Sequence, residues 1–148
     1  MSRSGYTDDC DDSESSLNLW RGAVHQAISG KRGQAMLREM LTALDAMPNK
    51  ALTEESLVTA DGEFCALGAL GHARGMDMHR LDPDNWGAVA KAFGVAPALV
   101  REIAYENDDY DEYSNSLRGE TPDVICARRW KHVRNWVSSQ IKTEGEMK

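Results

Sequence analysis

A chain of 148 residues, 41% hydrophobic and 28% charged, has the length of one domain and can bury about two-thirds of its unfolded surface. That argues against wholesale disorder and against a fold that needs disulfide or metal staples. The formal net charge of −7 argues against non-specific nucleic-acid binding, which requires a positive field. Cys10, Cys65 and Cys126 are odd in number and widely spaced, unlike a disulfide framework. The opening MSRSGYTDDCDDSESS lacks the apolar segment of a secretory signal, and no apolar run approaches the ~20 residues of a membrane span. The expected setting is the cytoplasm.

Residues 1–15 are rich in Ser and Asp and read as a flexible acidic arm, followed by one helical domain over 16–142 and a frayed terminus at 143–148. From Ser16, the residues Leu17, Trp20, Val24, Ala27 and Ile28 share one helical face, with Gly30 as the stop. A second helix is predicted over 32–47, with an apolar stripe of Met36, Leu37, Met40, Leu41, Leu44 and Met47. Three methionines on that stripe suit a forgiving core or an adaptable contact surface. Residues 51–60 are less regular and could form one short strand or hairpin, with Asp61-Gly62 as a turn. FCALGALGHARG, residues 64–75, carries small residues at Ala66, Gly68, Ala69, Gly71 and Ala73. Each glycine costs about 1 kcal/mol relative to alanine in a helix, so the pattern predicts a buried helix against which another backbone comes close.

Asp82-Pro83 reads as a helix start, with Trp86, Val89, Ala90 and Phe93 inward and Gly94 as the stop. Pro97 opens the next helix, with Leu99, Val100, Ile103 and Ala104 inward. An acidic loop over 107–113 follows, and Thr121-Pro122-Asp123 starts a last helix running to about Lys142. Its inward face holds Cys126, Trp130, Val133, Val137 and Ile141. The expected fold is an all-α bundle of about six helices. Acidic segments (1–16, 51–120) alternate with basic ones (17–50, 121–148), and the simplest expectation is that they meet and neutralise one another.

Four constellations bear on chemistry. Residues 89–103 follow the spacing of a helix-turn-helix corner, with Ala90 small and Gly94 at the turn. A recognition helix needs cations and base-directed donors, yet this one offers Arg101 against Glu102 and Glu106. A packed corner is therefore preferred, and a DNA-binding regulator is the alternative. Asp109, Asp111 and Glu120 take the first, third and twelfth places of a calcium loop, but Tyr113, Ser114 and Ser116 break the motif. No cofactor is expected, and no metal. Cys65 stands at a predicted helix start, where the dipole favours a thiolate, so a thiol enzyme using Cys65 is a second alternative, weighed against a buried packing residue. On the last helix, Arg128, Arg129, Lys131, His132 and Arg134 interleave with Trp130 and Trp136. That pattern suits either a nucleic-acid backbone or an amphipathic helix facing the acidic loop, and the second is preferred.

The segments CALGAL (65–70), YEND (105–108) and TPD (121–123), with Trp130 beyond them, resemble a loose group of small uncharacterised helical proteins encoded by bacteriophages, prophages and their hosts. The resemblance spans roughly residues 20–140. It implies a helical fold and a mobile-element origin, and no activity. In such a setting a small acidic protein is expected to bind and modulate a host protein, including, as an inhibitor, a nucleic-acid-handling defence complex such as CRISPR machinery. Clustered carboxylates can imitate phosphate spacing, as Asp8–Glu14 and Asp108–Glu112 could. The expected partner contacts are Asp108, Asp109, Asp111, Glu112, Arg128, Arg129 and Trp136.

Overall fold

The computed structural model describes residues 14–108 and 119–142. Residues 1–13 of the expected acidic arm, the 143–148 terminus, and Asp109, Asp111 and Glu112 lie outside them. The described residues form six helices and no strand: α1 Glu14–Ser29, α2 Lys31–Ala46, α3 Ala66–Ala73, α4 Trp86–Phe93, α5 Pro97–Asp108 and α6 Pro122–Gln140. The all-α bundle expected from the apolar periodicity is the fold observed. No helix among the described residues is long and apolar enough to cross a membrane.

The core is built from the predicted stripes. Met36, Leu37, Met40 and Leu44 of α2 are fully covered, as are Leu99 and Ile103 of α5 and Val133 and Val137 of α6. α2 packs on α3 and α6, whereas α5 touches α1, α3, α4 and α6. α5 is therefore the central helix. Ala98, Leu99, Val100, Arg101, Ile103, Ala104, Glu106, Asn107 and Asp108 are all buried along it.

Helix ends follow local chemistry. Only Gly30 separates α1 from α2. The buried Gln34 amide fastens this junction to the end of α6: its Nε2 donates to Ile28 O at 2.8 Å and to Gln140 O at 3.0 Å. Its Oε1 accepts the Lys142 N–H at 2.8 Å. Thr121 caps α6 by accepting the Val124 N–H, with Pro122 in the first helical position, as the Thr-Pro-Asp signal predicts. Gly94, left-handed at φ 74°, ends α4, and the Val95 N–H returns to Ala90 O at 3.0 Å, which is the expected corner.

Three expectations change. Asp82-Pro83 does not start α4. The Asp82 carboxylate instead accepts the Asp84 N–H at 2.9 Å in a turn, and Asn85 caps the helix by accepting the Ala88 N–H at 3.1 Å. The short strand near 51–60 reduces to one antiparallel bridge, Val58 with Phe64, around the Asp61-Gly62 turn. The acidic loop begins later than expected, because Asn107 and Asp108 belong to α5.

The reason lies at the start of α3. Its first N–H groups have no partner within the helix. The Asn107 Oδ1 accepts the Ala66 N–H at 3.0 Å from 41 residues away, and Cys65 Sγ accepts the Gly68 N–H at 3.3 Å. Asn107 Nδ2 donates to Thr53 O at 2.9 Å and to Asp108 Oδ1 at 2.7 Å. The same Asp108 oxygen accepts the Glu55 N–H at 3.3 Å, where Glu55 holds a positive φ of 61°. Segments CALGAL and YEND thus meet in one buried hydrogen-bond network. Next to it, a Cβ on Gly68 would lie 1.7 Å from the Leu57 carbonyl oxygen, so the loop rests directly on the helix backbone.

The contacts of α3 predict the stability of three variants. Asn107→Ala should cost about 3 kcal/mol, because it leaves a buried donor and a buried acceptor unsatisfied. Gly68→Ala should cost about 1–3 kcal/mol through overpacking. Gly71→Ala should cost less, since its Cβ would meet the side chain of Met78, which can move. Denaturant unfolding of the three variants checks the order.

Candidate functional site: an apolar groove between α2 and α3

The residues singled out from sequence separate on burial. Cys65 is fully covered and its sulfur caps α3, so no substrate reaches it in this conformation. Asp108 is buried within the Asn107 network rather than displayed. Arg129 is also buried, with Nη1 donating to Leu52 O at 2.9 Å and Nη2 3.6 Å from Glu54. Arg128 pairs with Glu120, the last residue of the would-be calcium loop. Trp136 is partly buried against the core. Among the described residues, no group of three His, Cys, Asp or Glu could hold a metal ion.

In the helix-turn-helix corner, most of the second helix is turned inward. α5, in the place of a recognition helix, has Pro97 exposed, Glu102 and Tyr105 half-buried, and its other residues buried. Its arginine, Arg101, is stacked between Trp86 and Trp20, with the guanidinium carbon 3.8 Å and 4.4 Å from the ring centroids. Stacking of a cation on aromatic faces contributes about 0.5–2 kcal/mol per ring when desolvated. Arg101 therefore joins α1, α4 and α5 and is not offered to phosphates. The last helix is spent similarly: Trp130 Nε1 donates to Leu44 O at 3.1 Å, His132 Nε2 lies 2.6 Å from Glu106 Oε2, and Arg134 bonds Asp45 at 3.0 Å. Acidic and basic segments meet, as their alternation along the chain suggests.

What remains open is a groove. α2 and α3 lie side by side, and both present alanines along the same furrow: Ala43 and Ala46 from α2, Ala69 and Ala73 from α3. Met47 and Pro48 close one wall. Phe64 and His72 form another, their rings 4.8 Å apart. The furrow is mostly apolar and half open, with a volume of about 540 Å³, inside the roughly 300–1,000 Å³ range of ligand-binding clefts. A second cleft of about 610 Å³ lies by the α1–α2 junction, where Lys31 and Arg32 face Pro97; it is wider and more polar.

Two ion pairs brace the helices around the groove. Arg74, which caps the end of α3, grips Glu39 of α2 through two bonds of 2.9 Å and donates to Phe93 O at 3.1 Å. Arg134 holds Asp45. Hydrogen bonds from these guanidinium groups keep the Glu39 and Asp45 carboxyls below their ordinary range.

Sequence reasoning missed this groove. Alanine on a helix is equally at home in a core, on a surface or on a groove floor, and only the opposing helix decides. The one signal was the methionine stripe: Met36 and Met40 are core, but Met47 lines the groove. Comparison with family models, with curated proteins and with solved structures returns no match.

The ion pairs predict a pH dependence. A carboxyl whose pKa is depressed on folding stabilises the fold above its unfolded pKa, about 4, and loses that contribution as pH falls through the folded value. The Glu39→Gln/Asp45→Asn variant should therefore melt below wild type at pH 7, and the gap should close on acidification below about pH 4. Both carboxylates are about half exposed, so the gap is small and shrinks with added salt. Melting curves across pH measure it.

Proposed function

We propose that this chain is a binding protein that seats an apolar segment of another protein in the groove between α2 and α3. The observation that supports this reading is the groove itself: an alanine floor on two braced helices, with adaptable Met47 and flat Phe64 as walls. Small floor residues let a partner backbone come close. A methionine refits to more than one shape. Two rigid helices hold the furrow open, so little ordering cost falls on this side of the contact. An amphipathic helix laid into such a furrow is a recurrent mode of peptide recognition.

The resemblance carried by CALGAL, YEND and TPD supports a finer proposal: an accessory protein of phage or prophage origin that modulates a host factor. The net charge of −7 favours a host partner with a basic surface, as a nucleic-acid-handling defence complex has. Of the motif residues, Cys65, Asn107 and Thr121 work in capping, whereas Ala69 lies on the groove floor.

Ala46 is exposed on the groove edge, so Ala46→Trp fills the furrow without entering the core. In bacterial host lysate the wild-type chain should retain a stoichiometric partner. Ala46→Trp should reduce that retention at least about tenfold, equivalent to ~1.4 kcal/mol, while Lys91→Ala on α4 leaves it unchanged. Equal retention by the Ala46→Trp and wild-type chains sinks the reading.

A further inference from the structure

The charges around the groove restrict what it accepts. This inference rests on the groove being the contact site and adds the chemistry of the occupant. Among the described residues, Lys50, Arg74 and Arg134, the cations adjoining the furrow, are already engaged. Lys50 donates to the Asp45 carbonyl and lies over the Trp130 ring, 5.4 Å from its centroid. Arg74 is held by Glu39 and the Phe93 carbonyl, and Arg134 by Asp45. Glu39 and Asp45 are neutralised in return.

The Asp61-Gly62-Glu63 turn is different. Asp61 and Glu63 are exposed, and neither carboxylate has an ion-pair partner among the described residues. Glu63 and Gly62 line the groove directly. The turn is firmly built: the Gly62 N–H bonds Thr59 O at 3.0 Å and the Thr59 N–H bonds Glu63 O at 2.8 Å, while Thr59 Oγ1 accepts the Glu63 N–H at 3.0 Å. The backbone of the turn is thus held at the rim of an apolar furrow, with Glu63 on the groove and Asp61 two residues before it. Two negative charges there attract a cation and repel an acid, and the low-dielectric wall strengthens both effects.

We infer that the occupant is an amphipathic segment of the partner protein, with apolar side chains entering between α2 and α3 and a lysine or arginine reaching the Asp61–Glu63 turn. The apolar part supplies contact area. The basic residue sets orientation and rejects acidic segments, since like charges held together at a contact cost affinity.

The test uses two synthetic helical peptides with the same leucine face, one with lysines and one with glutamates on the polar face. Each is labelled and titrated into the full chain by fluorescence anisotropy, and amide shifts locate the contact. The lysine peptide should shift Ala46, Phe64 and Ala73 and bind about tenfold or more tighter than the glutamate peptide. Asp61→Lys/Glu63→Lys should reverse that order with an unchanged melting temperature, and Ala46→Trp should weaken the lysine peptide at least about tenfold. Equal binding of both peptides in the groove overturns the charge assignment and leaves the groove reading intact. Shifts confined to other surfaces, or lysine-peptide binding that survives Ala46→Trp, overturn both.

Discussion

The fold turns on how the start of α3 is capped. A helix N-terminus placed inside a protein brings N–H groups that water cannot reach, and each must find an acceptor. Here α3 begins in the interior, at a fully covered Cys65. Its own cap supplies one sulfur acceptor, and the other acceptor comes from Asn107 at the far end of α5. That requirement fixes where α5 ends relative to α3. The same amide holds the 53–55 segment through Thr53, and Asp108 extends the hold to Glu55. With the loop pinned, Leu57 can rest on Gly68, and the Asp61–Glu63 turn comes to lie on the rim of the groove. The binding surface is positioned by a capping interaction that it does not itself contain.

Helix number and core face were legible in the sequence because they depend on spacing within one segment. The stripes of α2, α5 and α6 are buried as their periodicity predicts, and Thr121-Pro122 starts α6 where it should. The failures share a cause. Asn107 and Asp108 are poor helix formers and read as loop, yet a contact 41 residues away holds them in α5. Asp82 and Asn85 are both competent caps three residues apart, and propensity does not choose between them. The groove was invisible because its floor is alanine, whose meaning depends on the helix opposite.

Charge followed a similar division. Alternation of acidic and basic segments pointed to internal neutralisation, and Arg128 with Glu120 and Arg129 with Glu54 realise it; Arg134 with Asp45 and Arg74 with Glu39 are pairs that the alternation did not indicate. Which charges would be left over was not legible, because pairing is a property of neighbours in space. The surplus at Asp61 and Glu63 gives the groove a polarity that its apolar lining lacks.

The Gln34 clasp also has a kinetic meaning. It joins α2 to Lys142 across 108 residues, almost the whole described chain. Closing a loop of that length costs entropy that grows only as its logarithm, but the cost must be met before the contact returns anything. Such a bond belongs late in folding, after α2 and α6 have found each other. Interactions made after the transition state slow unfolding more than they speed folding. The buried amide at the α1–α2 junction thus acts as a latch, governing how long the folded chain persists more than how fast it forms.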